Sequence, residues 1–215
     1  MKIIISICIF LSVFSLNGTD MADISQAQDS CKFKIIFWHC PMSEFENMQI
    51  LEADSLLNTY EPFYIIQDKY ISKYYWDEQL LLVDMGKIFK ETGDNLLPLG
   101  DCKFTMILEN KIVYHGMFFT IDLAATIDYA GPVIKGYKSC IPNHSVLALK
   151  PTLYPLNDIF RDFSKKDKKE FLKLNKDLYE YFKSTDRLFK GKIDLRKVLA
   201  EDSEYMMIKN APKER

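Results

Sequence analysis

Lys103-Phe104-Thr105-Met106-Ile107-Leu108, then Glu109-Asn110-Lys111, then Ile112-Val113-Tyr114-His115-Gly116-Met117-Phe118-Phe119 is the stretch that decides the fold. Both arms are rich in β-branched and aromatic residues, neither carries a helical stripe, and the polar trio between them is short. The pattern predicts a β-hairpin. Working outward, other brief apolar runs repeat the theme: Lys32 to Trp38, Phe63 to Gln67 opened by Glu61-Pro62, Gln79 to Val83, and Val146 to Leu149 closed by Pro151. Proline at the head of a strand sits where its missing amide does least harm. Together these runs predict a mixed or mainly antiparallel sheet of about five to six strands.

Between the strands the period changes. Ser43 with Glu46 has the form of a capping box, and Phe45, Met48, Leu51 and Leu56 give a partial helical stripe through Asn58. Asp68 to Ser72 reads as a turn or short helical bend. Asp84 is placed to cap a helix from Met85 to Thr92 that ends at Gly93. Ala124 to Ala130 reads as a short helix. From Tyr154 the chain turns helical, with Phe171, Leu174, Leu178, Tyr181 or Phe182, and Leu188 recurring on one face, and Asp194 caps a last turn through Leu195, Val198 and Leu199. The expectation is an α+β fold with helices on one face of the sheet and a C-terminal amphipathic helix packed by Phe171, Leu174 and Leu178.

The first residues carry a different message. Lys2 precedes an apolar run from Ile3 to Phe14, followed by polar Ser15, Asn17 and Thr19. A basic start, an apolar stretch of roughly a dozen residues and a polar exit match a secretory leader, whereas a bilayer span needs about 20. The organisation read from the sequence is therefore a signal peptide over 1–18, a tether over 19–30, an α+β core over 31–153, a helical segment over 154–209 packed on it, and a tail over 210–215. The expected location is secreted or periplasmic.

The formal charge of -2 argues against nucleic acid as a partner. Charge is uneven, with 16 Lys plus Arg against 11 Asp plus Glu from Arg161 onward, and 12 against 19 before it. A basic helical segment suits an anionic membrane or an acidic partner, but interleaved charges on a solvated helix face are the commoner use of such a pattern. Cys31, Cys40, Cys102 and Cys140 remain after leader removal and are disulfide candidates in an oxidising compartment. Cys31 and Cys40 flank one predicted strand, which holds them on the order of 30 Å apart, so they do not pair with each other. There is no Cys-x-x-Cys, and no metal or cofactor is expected.

Candidate chemistry is sparse. His115 and His144 are the available acid–base groups. His144 lies near Cys140, but a catalytic thiol needs an activating and an orienting partner, and the sequence names neither. Asp77-Glu78 and Asp122 with Asp128 are the nearest approach to paired carboxylates, and there is no Gly-x-Ser-x-Gly, phosphate-cradling glycine loop or His-Glu-x-x-His. The aromatic group Tyr70, Tyr74, Tyr75 and Trp76, joined by His115, is the best candidate for a binding patch, with packing against the sheet as its competing use.

From Glu61 to Ile134 the order of elements resembles a group of uncharacterised exported bacterial proteins. The resemblance rests on Glu61-Pro62-Phe63, Asp68 to Ile71, Tyr75-Trp76-Asp77-Glu78-Gln79-Leu80, the Phe-rich hairpin and Gly131-Pro132-Val133-Ile134. The order is also similar to the first periplasmic domain of the export subunit SecD. It implies a bacterial envelope setting and an α+β fold, and no catalytic residues. The function expected is a non-catalytic binding or structural role with an envelope protein, peptide or glycan as partner. The alternatives are a small secreted hydrolase using His115 or His144, and a membrane-peripheral protein held by an uncleaved leader and the basic C-terminal helix.

Overall fold

The computed structural model describes residues 32–93, 102–120, 132–150, 169, 172–173 and 175–201. They form one sheet of nine strands: β1 Phe33–Trp38, β2 Tyr64–Gln67, β3 Ile71–Tyr75, β4 Leu80–Asp84, β5 Cys102–Leu108, β6 Lys111–Thr120, β7 Val133–Lys138, β8 His144–Lys150 and β9 Leu188–Phe189. The spatial order is β2-β1-β5-β6-β7-β8-β4-β3-β9. The sheet curls into a half-barrel. Pairing is antiparallel except for β6 with β7 and β3 with β9, which are parallel. Among the described residues four bounded α-helices accompany it, α1 Met42–Met48, α2 Ala53–Thr59, α3 Met85–Thr92 and α4 Lys176–Ser184.

The expectation of five to six strands is corrected to nine. β3 takes up residues read as a bend and a lead-in, and its pairing with β4 is broken by a register shift between Ile71 and Lys73 that blurs its alternation. β9 has only two residues and exists through its pairing with β3. The single helix expected from Ser43 to Asn58 is two helices. Phe45 and Met48 bury one turn, but the next positions on that face are Gln49 and Glu52, and the apolar face resumes out of phase at Ala53 and Leu56. The capping box does not form either, since α1 starts after Pro41 with no side-chain cap. Asp84 and Gly93 behave as read: the Lys87 N–H donates to Asp84 Oδ1 at 2.9 Å, and Gly93 closes α3 at φ 77. The proposed helix over 124–130 and the stripe residues Phe171 and Leu174 lie outside the described residues.

Helices on one face is also corrected. One face of the sheet carries a continuous core of Phe33, Ile35, Phe37, Tyr74, Leu81, Val83, Phe104, Met106, Phe118 and Leu147, covered by Leu178, Tyr181 and Phe182 of α4 and by Met85 and Ile88 of α3. The opposite face is covered in two places. Ile36, Trp38 and Ile107 lie under α1 and α2, while Leu80, Leu82, Val146 and Ala148 lie under the turn containing Leu195, Val198 and Leu199. A strand buried on both faces reads as an unbroken apolar run. That is the pattern of Ile35-Ile36-Phe37-Trp38 and Leu80-Leu81-Leu82-Val83.

Three features fix the geometry. The two-residue turn of the β5–β6 hairpin uses Glu109 at φ 48 and Asn110 at φ 63, the left-handed pair that the twist of a tight hairpin demands. Gly116 lets β6 pass beside the residue before β7, where an added Cβ would lie 2.0 Å from the Pro132 carbonyl oxygen and 2.6 Å from the Phe104 ring. Arg187 ties the end of α4 to the rim of the sheet, its guanidinium donating to the carbonyls of Asp68 and Ile71 at 2.9 and 3.0 Å, to Asp68 Oδ1 at 2.8 Å and to the Tyr181 hydroxyl at 3.2 Å. Ring pairs then seat α4, with Phe33 and Phe182 centroids 5.3 Å apart and Tyr74 and Phe182 5.1 Å apart, each worth roughly 0.5–1.5 kcal/mol beyond its buried area. No helix among the described residues is long and apolar enough to cross a membrane.

Candidate functional site

The aromatic group read as a binding patch is built into the core. Tyr70, Tyr74, Tyr75 and Trp76 are all buried. Tyr74 faces α4 and donates its hydroxyl to Gln79 Oε1 at 2.6 Å, and that oxygen also receives Asn175 Nδ2 at 2.9 Å. The Gln79 amide returns a proton to the Trp76 carbonyl. Burial pushes the Tyr74 phenol well above its ordinary range, so it stays neutral and acts only as a hydrogen-bond group. Trp76 stacks edge-on to Tyr179 of α4 at 4.7 Å. Tyr74 and Trp76 hold the C-terminal helix to the sheet, whereas the Tyr70 hydroxyl donates to Glu91 of α3 at 3.0 Å and Tyr75 packs on the opposite face with Leu80, Leu82 and Phe189.

His115 lies on the opposite face, under α1. Its Nδ1 is 3.0 Å from the Thr105 hydroxyl, which also accepts the Trp38 indole N–H at 2.9 Å, and its ring meets Phe45 edge-on at 6.0 Å. Burial pushes its pKa down to about 4, so at neutral pH the ring is uncharged. Cys40 follows Trp38 by two residues, whereas His115 stands level with Ile36 through Thr105. No Cys40–His115 pair is formed.

The second histidine is equally separate. His144 Nδ1 is 2.9 Å from the Pro142 carbonyl and so donates to it, while the Cys140 thiol donates to the Arg196 carbonyl at 3.4 Å. His144 stands opposite Asp84 in the β4–β8 register, but that carboxylate accepts the N–H at the start of α3. Cys40 and Cys140 are free thiols. The three described cysteines occupy different sites: Cys102 is buried in the main core at the start of β5, Cys40 packs beside α1 on the other face, and Cys140 is exposed by the Leu195–Lys197 turn. Cys31, Asp122 and Asp128 lie outside the described residues.

What the fold brings together is a cleft. The β5–β6 turn and the start of β6 (Leu108, Glu109, Lys111, Ile112 and Val113) face one side of α4, which presents Asp177, Glu180, Tyr181 and Ser184 across a volume of about 640 Å³. The α4 residues recur at helical spacing, so one face supplies them all. Three carboxylates stand against one ammonium over an apolar floor. Tyr181 sits at the inner end, its phenol pushed up to about 12 by burial first and by Asp68 second, and so it donates rather than ionises. Glu109 also pairs with Lys32 at 3.6 Å, both side chains well exposed.

The cleft was not legible as a site. Asp177 and Glu180 read as ordinary polar helix positions and Glu109 as a turn residue, and their meeting depends on the docking of α4 through Phe33 and Phe182. No family model, curated protein or solved structure matches this chain.

Proposed function

We propose that this chain is an exported, non-catalytic binding protein and that the cleft between the β5–β6 turn and α4 receives a basic peptide segment of an envelope partner. The observation that carries this reading is the cleft lining: Glu109, Asp177 and Glu180 against Lys111, with Leu108 and Val113 beneath. Complementary charge gives such a surface its selectivity and its on-rate, and the apolar floor gives it affinity. Export rests on the leader at Lys2 to Phe14. A hydrolytic alternative finds little support, because the polar contact of His115 is a fully buried threonine hydroxyl and that of His144 is a backbone carbonyl. A general base needs its substrate proton within about 3 Å or one water away.

The test is titration of the chain lacking 1–18 with a lysine-rich decapeptide, followed by amide NMR and calorimetry. Saturable binding that weakens with salt, maps to Glu109–Val113 and Asp177–Ser184, and drops at least tenfold in the Asp177→Lys, Glu180→Lys double variant is expected. Equal binding by the double variant, or no preference over a glutamate-rich decapeptide, removes the cleft from consideration.

A further inference from the structure

Beyond Trp38 the chain runs His39-Cys40-Pro41-Met42 into α1, and the last residue of that helix comes back to meet it: Cys40 Sγ is 3.8 Å from Met48 Sδ. Met48 is 1% exposed, whereas Cys40 is only half-buried, so one sulfur is fixed in the packing and the other faces the way out. We propose that Cys40 and Met48 together bind a soft monovalent cation of the Cu(I) or Ag(I) class. This site is separate from the cleft and does not depend on it.

The chemistry selects the ion. Thiolate and thioether are soft donors, and a thioether contributes little to zinc, calcium or magnesium. Zinc also wants four ligands, and among the described residues no three His, Cys, Asp or Glu side chains gather for one. Geometry agrees. An ion at the usual metal–sulfur length of about 2.3 Å from each sulfur spans a 3.8 Å separation with an angle of roughly 110° at the metal. That is a bent arrangement with a coordination position left over on the solvent side, where His39 and Met42 flank Cys40 in the chain and are both exposed. Glu44 and Lys103 are the charged groups acting on the thiol, one favouring a nearby cation and the other opposing it. Binding replaces the thiol proton: Cys40–SH plus M⁺ gives Cys40–S–M plus H⁺, the proton leaving to solvent, with no change of oxidation state.

The experiment uses the full chain, reduced and oxygen-free, with ¹³C-methyl methionine, and Ag(I) as the redox-inert probe. One methyl resonance, assigned to Met48 by its loss in Met48→Leu, shifts to saturation as the first equivalent is added. In competition with a chromogenic Cu(I) chelator, Cys40→Ser and Met48→Leu each weaken binding at least tenfold, and Cys140→Ser, at the remote exposed thiol, leaves it unchanged. Leucine for methionine nearly conserves volume, and the remaining methyl spectrum reports that the fold persists. The proposal is overturned by an unmoved Met48 methyl while silver binds, by parent-like affinity in Met48→Leu, or by loss of binding in Cys140→Ser.

Discussion

Replacing Arg187 by alanine should destabilise the fold by about 3 kcal/mol, because its guanidinium makes charge-assisted hydrogen bonds in a partly buried place. The Asp68 carboxylate and the Arg187 side chain are only 23% and 19% exposed, so this pair keeps more of its attraction than a surface pair does. Truncation leaves the carbonyls of Asp68 and Ile71 without their side-chain donor and removes the cation from over the Tyr181 and Phe182 rings, 5.6 and 5.2 Å away. One charge-assisted bond is worth roughly 1.5–3 kcal/mol and one stacked cation about 0.5–1, while water entering the vacated space recovers part of the remainder. For a chain of this size about 3 kcal/mol corresponds to a fall in Tm of roughly 6–12 °C. Arg187→Lys should recover less than half, because an ammonium does not reproduce the planar fork that serves two carbonyls and a carboxylate together. Urea unfolding followed by tryptophan fluorescence, with Asp68→Asn and the double variant completing a cycle, measures both the loss and the coupling. A loss under about 1 kcal/mol, the range of an ordinary surface ion pair, would refute the reasoning.

Three further expectations follow from the same geometry. The unfolded chain binds a proton at His115 below about pH 6.5, while the folded one resists until about 4, so stability is full above 6.5 and falls as pH drops through that window; the urea midpoint should show this acid loss, and His115→Gln should reduce it. Gly116→Ala should cost at least roughly 2 kcal/mol by driving a methyl into the Pro132 carbonyl, and slowed exchange of the β6–β7 amides relative to the parent would contradict it. Gln79→Leu strips the acceptor from both the Tyr74 hydroxyl and the Asn175 amide, for an expected loss of about 2–4 kcal/mol in thermal or urea unfolding, and a neutral result would mean that this buried network holds nothing.

The parts of the fold written in adjacent residues were readable. The β5–β6 hairpin, the Asp84-to-Gly93 helix and the Asp194 cap, whose carboxylate accepts the Arg196 N–H, all depend on contacts within a few positions. What escaped depends on distant partners. β9 is two residues long, Leu188 and Phe189, and nothing in them signals extended structure until Tyr74 and Tyr75 lie alongside. The cover over both faces was present in the sequence as apolar runs without alternation, and even Lys34 in β1 is only 8% exposed. For the candidate site, His115 was identifiable as a residue but not its neutral state, which comes from burial under α1. The acidic cleft is a product of helix docking and has no local signature.

The parallel clasp of β9 on β3 has a consequence for biogenesis. Arg187 reaches back 119 positions to Asp68, and the Tyr74 and Trp76 amides donate to the Arg187 and Phe189 carbonyls. Until the ribosome has delivered that distal portion, the rim of the sheet is unfinished and open to strangers. A polypeptide whose sheet rim closes only when its far end arrives completes that rim late, because the loop to be closed is long.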